Sequence, residues 1–176
     1  MKLYAVRHGE TAWNAENRIC GITDLSLTAR GLSQAEELAA ALSTVPLDRI
    51  ITSPLLRAQQ TAQVISLQHR IPVETDARLR EQNYGIFEGM DRKTPAFLEN
   101  KRHFAVRYPG GESMMDVAAR VYPLLNELKT DNTCKSVLLV CHGGVLRVLR
   151  TYFLNMTNEE YFRYSPHNCA AEEYEL

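Results

Sequence analysis

The chain is predicted to fold as an α/β domain with a mostly parallel sheet, and three features of its sequence say so. Short apolar runs rich in Val, Leu and Ile alternate with stretches of helical period, the pattern of strand-helix-strand units. Two of the runs, Lys2-Leu-Tyr-Ala-Val-Arg7 and Ser136-Val-Leu-Leu-Val-Cys141, are each followed by histidine and glycine. At 176 residues, 45% hydrophobic and 23% charged, the chain has the size and composition of one globular domain.

Each of the two runs is short and bounded by glycine, so it reads as a buried strand rather than a helix. Residues 9–27 have loop composition. From Thr28 as N-cap, Leu32, Ala35, Leu38, Ala39 and Leu42 recur at helical spacing and predict a helix over 28–44. Pro46 ends it, and Arg49-Ile-Ile-Thr52 is a second strand. Ser53 as N-cap and Pro54 at the first helical position open the next helix, with Ala58, Ala62 and Ile65 inward. Arg57 falls in its first turn, where a cation is disfavoured by about 0.3–1 kcal/mol. Either an anion lies nearby or the side chain extends into solvent.

Ile71-Pro-Val-Glu-Thr75 is a weak edge strand, and Leu79 to Gly89 is irregular, carrying Glu81 and Glu88. Residues 90–110 are polar and basic, with Arg92, Lys93, Lys101, Arg102, His103 and Arg107, and form a candidate lid insertion, with a solvated helical excursion carrying scattered charges as the alternative. Ser113 and Asp116 make a capping box for a helix whose Val117, Val121, Leu124, Leu125 and Leu128 face inward. Pro123 is expected to kink or divide it. After the strand at 136–141 come helices at about 145–154 and 158–163, then a last strand within 168–176.

The net charge of −1 and a pI near 6.5 give no global field for nucleic acid or an anionic membrane. The N-terminal apolar run is too short for a signal peptide and no stretch reaches the length of a membrane span, so a cytoplasmic protein is expected. Cys20, Cys134, Cys141 and Cys169 contain no C-x-x-C pair, and read as free thiols with no zinc site. No cofactor is expected.

In open parallel sheets ligands bind beyond the carboxyl ends of the strands. Arg7 and His8, Arg57, and His142 all fall at such ends. Two arginines offer planar forks of donors for phosphate oxygens, and Gly143-Gly144 leads into a helix N-terminus that adds free N–H groups. Phosphoryl transfer asks mainly for alignment and charge stabilisation. A neutral imidazole can attack phosphorus if its other nitrogen is held by a backbone carbonyl, and a carboxylic acid can protonate the leaving alcohol. Glu81 and Glu88 are placed for that; Glu10 sits beside the nucleophile, where it would repel substrate. The residues alone do not choose between His8 and His142.

Three other readings compete. Cys141 to Arg147 satisfies C-x5-R, the loop of cysteine-dependent phosphatases, although Cys141 ends a core-type run. A metal hydrolase using His8, His142 and Glu81 would set a divalent ion beside two permanent cations. A silent phosphate binder would have lost one of these groups, and none is lost. His69 and His103 have surface-like neighbours, and for His167 a role outside the site is favoured.

Arg7-His-Gly-Glu-Thr11 with Asn14, Ser53-Pro-Leu-Leu-Arg57-Ala58, Leu79-Arg-Glu81, Phe87-Glu-Gly89, Pro109-Gly-Gly-Glu-Ser113 and His142-Gly-Gly144 together resemble the histidine phosphatase superfamily in its phosphoglycerate-mutase-like branch. The motifs stand in the family's order from residue 2 to about 170. The resemblance implies one domain over 1–176 with a three-layer α/β/α sandwich. It implies His8 as the nucleophile that becomes phosphohistidine, Glu81 as proton donor, and Arg7, Arg57 and His142 on the phosphoryl group. Asn14, Gly21 and Gly143 join them as phosphate- or substrate-binding positions. Many relatives carry glutamine where this chain has Cys20. The family's mutases are usually longer between the acid and the second histidine. A metal-independent phosphatase acting on a small phosphomonoester is therefore expected, with a phosphoglycerate-type mutase as the alternative.

Overall fold

Five strands form one sheet in the computed structural model, which describes residues 1–176. They are β1 (Lys2–Arg7), β2 (Arg49–Thr52), β3 (Val73–Thr75), β4 (Ser136–Cys141) and β5 (Ala171–Glu175), in the order β3-β2-β4-β1-β5. All neighbours are parallel except β5, which runs antiparallel to β1 along the sheet edge. Arg7 is level with Cys141 in the central pair, and Thr52 with Val140 in the next. This register carries the chain past the same carboxyl end of the sheet at His8, Ser53 and His142.

The helices are α1 (Ala12–Ala15), α2 (Ala29–Leu42), α3 (Leu56–His69), α4 (Pro95–Lys101), α5 (Met114–Thr130), α6 (Gly143–Phe153) and α7 (Asn158–Arg163). Strand side chains alternate between faces, so β1 and β4 serve two cores at once. Leu3, Ala5, Val137 and Leu139 pack with α5 and α6, while Tyr4, Val6, Leu138 and Val140 pack with α2 and α3. The result is the α/β/α sandwich with a mostly parallel sheet. A smaller aromatic cluster of Ile19, Phe87, Phe97 and Tyr108 seats α4. No helix is long and apolar enough to cross a membrane.

Four local expectations change. The loop at 9–27 contains α1, closed by a capping box between Thr11 and Asn14. Leu32 is half-exposed, and Gly31 takes the inward position because a Cβ there would sit 2.2 Å from the Glu10 carbonyl oxygen. α3 starts at Leu56 with Leu55 as a cap that offers no side-chain bond, so Pro54 lies outside the helix. Pro123 neither divides nor ends α5, which is continuous through it. Pro123 and Ala119, whose carbonyl loses its partner, both lie on the exposed side, where water can take that carbonyl.

Candidate active site

Two strand ends and one helix start bring the predicted groups together. His8 is buried, and its Nδ1 lies 2.6 Å from the Gly9 carbonyl oxygen. A carbonyl only accepts, so Nδ1 carries the proton and Nε2 holds the free lone pair. Arg57 Nε donates to that Nε2 at 3.2 Å. The His142 ring stands 5.1 Å away between centroids, with Nε2 2.7 Å from Ser53 Oγ and Nδ1 buried without a partner. Both imidazoles are held well below the ordinary histidine value, by burial first and then by the arginines beside them. They are uncharged at neutral pH.

The Arg57 guanidinium is wholly buried, which excludes the solvent-extended alternative. What offsets its charge at the helix start is not a carboxylate. Nη1 and Nη2 donate to the carbonyls of Thr23 at 2.9 Å and Gly21 at 2.6 Å. Arg7 Nη1 donates to the Pro166 carbonyl at 2.7 Å, and its Nε is buried without a partner. Burial and neighbouring Arg92 lower its pKa to about 10.

Glu81, almost fully buried, accepts from Gln82 N–H at 2.8 Å through Oε1 and from Gly144 N–H at 3.1 Å through Oε2. The second bond ties it to the first turn of α6. Arg7, His8, Asn14, Glu81 and Gly143 line one cleft. Arg57 and His142 lie just beneath it, with no exposed surface. Gly21 stands back from the cleft, and its carbonyl supports Arg57. Cys20 lines the wall, its thiol pushed up by burial.

The cleft also carries further cations. Arg92, Lys101 and Arg147 face the same cleft, the first two from the 90–110 segment. Burial, then Arg147 and Arg92, lower the Lys101 pKa to about 8.

Other candidates lie elsewhere. Glu88 accepts from Ile22 N–H at 2.8 Å and Thr23 N–H at 2.9 Å, which fixes the loop under Arg57, and it does not line the cleft. Glu10 accepts from Thr28 Oγ at 3.0 Å at the start of α2. His167 is exposed and outside the cleft. Cys141 is fully buried in β4, burial raises its thiol strongly, and Arg147 Nη2 donates to the Tyr164 carbonyl at 3.0 Å. The C-x5-R loop is therefore not a phosphate cradle here, and the cysteine-phosphatase alternative is withdrawn. His8, His142 and Glu81 are not gathered into a metal-ligand cluster.

Sequence reasoning passed over Ser53 as a partner for His142, having read it as a helix cap. Thr61 also went unnoticed: it accepts from Gly9 N–H at 3.0 Å and donates to the Arg57 carbonyl at 2.8 Å. Its place one turn after Arg57 was the available signal.

A family model described as the histidine phosphatase superfamily (branch 1) matches residues 3–176. The probable phosphoglycerate mutase GpmB of Proteus mirabilis (strain HI4320) is 35% identical, over 97% of this chain and 82% of its own length. A solved mycobacterial glucosyl-3-phosphoglycerate phosphatase in complex with VO3 superposes with a TM-score of 0.88 at 31% identity, covering 98% of this chain and 91% of that one. The α-ribazole phosphatase from Shigella flexneri superposes with a TM-score of 0.87 at 27% identity, covering 100% and 91%.

Proposed function

The chain belongs to the histidine phosphatase superfamily, and from that premise we propose that it hydrolyses a small phosphomonoester through a phosphohistidine on His8. The observation that carries the reading is the His8 tautomer: Gly9 holds the Nδ1 proton and leaves the Nε2 lone pair beside Arg57. Nε2 attacks phosphorus as the bond to the alcohol oxygen breaks, and Glu81 protonates that oxygen. Water then attacks the phosphohistidine, giving its proton to Glu81, and phosphate leaves. Arg7, Arg57, the Asn14 amide and the His142 Nδ1–H stabilise the equatorial oxygens. The Arg57 bond to Nε2 is exchanged for one to the phosphoryl group. No step needs a metal or cofactor.

Arg92, Lys101 and Arg147 support a substrate that carries a second anionic group, such as a carboxylate, besides the phosphoryl group. The four cysteines, all free, support action in the reducing cytoplasm. A mutase that returns the phosphoryl group to the substrate is the second reading, favoured by the name of the Proteus relative.

Hydrolysis of a generic phosphomonoester in excess EDTA, by the intact protein and by His8→Ala, tests the reading. Activity that survives the chelator and is lost with His8, together with an acid-labile phosphoryl label on the intact protein, is the expected result. Activity retained by His8→Ala would sink it. With phosphoglycerates, phosphate release separates the hydrolase from the mutase.

A further inference from the structure

The segment after α7 crosses back over the start of the chain. Asn168 Nδ2 lies 2.9 Å from the His8 carbonyl oxygen and 3.3 Å from Asn14 Oδ1. Cys169 N–H donates to the Arg7 carbonyl at 2.9 Å, with Cys169 at φ 58°, in the left-handed region unusual for a side chain. These contacts fix two amides whose ends are otherwise interchangeable. The His8 carbonyl can only accept, so the Asn168 end facing it must be Nδ2. The Thr11 backbone N–H can only donate, and it lies 3.1 Å from Asn14 Oδ1. Asn14 Oδ1 therefore receives two donors, one from α1's own cap and one from Asn168. A flipped Asn14 would set its NH2 against both of them. Its Nδ2 is left as the end available to the cleft that Asn14 lines.

We propose that Asn168 is a positioning residue for the phosphoryl site: anchored on the His8 carbonyl, it locks Asn14 with its donor toward the phosphoryl oxygens. This rests on the reading above that Asn14 contacts the phosphoryl group. Because Asn168 acts through Asn14, its removal affects every phosphoryl species that binds, inorganic phosphate included.

A double-mutant cycle read by the inhibition constant of inorganic phosphate and by kcat/KM tests this. Asn14→Ala and Asn168→Ala are each expected to weaken phosphate by about 5- to 10-fold, the loss of one charge-assisted hydrogen bond. In the Asn14→Ala background, Asn168→Ala is expected to cause less than about a 2-fold further loss. Asn168→Asp, which keeps the shape but turns an acceptor toward the His8 carbonyl and Asn14 Oδ1, is expected to lose more than Asn168→Ala. A merely structural residue would lower the melting temperature without this non-additivity. Wild-type phosphate affinity in both Asn168 variants overturns the proposal, as do losses that simply multiply. An Asn14→Ala variant with unchanged phosphate affinity counts instead against the role given to Asn14 in the proposed function.

Discussion

Arg57 carries its charge where there is neither solvent nor a carboxylate to meet it. Two loop carbonyls and an imidazole nitrogen receive its donors, an arrangement that a planar fork can satisfy and a point charge cannot. Arg57→Lys is expected to lower kcat/KM by about 100-fold, comparable to losing an oxyanion donor, and steady-state kinetics on a generic phosphomonoester would show it. Near-wild-type kinetics would mean that Arg57 only supports the loop. The buried histidines predict a pH effect on stability. Both have folded-state values well below the ordinary one, so as pH falls through about 6.5 the unfolded chain takes up protons that the folded chain refuses. Their contribution is whole above about pH 6.5 and is lost below it, at up to about 1.4 kcal/mol per pH unit for each histidine. Melting in phosphate-free buffer should therefore fall as pH drops from about 7.5 to 5.5, and His142→Asn should flatten the slope; an unchanged slope refutes the assignment. Individual residues were legible when their chemistry was distinctive: Arg7, His8, Glu81 and His142 stand at predicted strand ends or in the motif beside them. Ser53 and Asn168 were not, because a hydroxyl or an amide has many local uses and only tertiary contact says which one is made.

Where α6 begins, the chain has two glycines, and the second lies against Glu81, the acid of the proposed mechanism. A Cβ on Gly144 would come within 2.6 Å of Glu81 Oε1 and 3.1 Å of the Tyr84 hydroxyl. Gly144→Ala is thus expected to displace the carboxylate while leaving the helix intact, lowering kcat about 10- to 100-fold on a poor leaving group. On an activated aryl ester, which leaves without a proton, the loss should be smaller. Equal losses on both esters would argue that the glycine serves packing alone. Most elements could be read from period and caps: Thr28 and Ser113 cap α2 and α5 as expected. The start of α3 could not, since Ser53-Pro54 is a good opening by local rules, yet the Ser53 hydroxyl is shared between His142 Nε2 and Leu55 N–H and the helix starts at Leu56. α4 was hidden in a run of mixed charge because its burial depends on Phe97 meeting Phe87 and Tyr108, residues brought to it from two other segments.

At the scale of the molecule, a net charge of −1 conceals a cleft walled by Arg7, Arg92, Lys101 and Arg147 with one carboxyl group, Glu81, among them. Attraction of an anionic substrate is therefore local and sensitive to screening. Between about 0.05 and 0.5 M salt, kcat/KM for a dianionic phosphate ester is expected to fall several-fold, with a steeper fall for a substrate bearing a second anionic group. A flat profile would leave the basic wall without a part in capture. The sandwich itself was legible because strand and helix periods alternate, but the antiparallel β5 was not, since direction is written in connections rather than in composition. That last strand follows the segment that braces His8, and the two partners of the Asn168 bond are 160 positions apart. At ribosomal rates of about 5–20 residues per second, this separation takes roughly 10–30 s to translate. A nascent chain thus carries the His8 imidazole long before Asn168 is made to brace it, and phosphatase activity that depends on the brace lags the first strand by at least that interval.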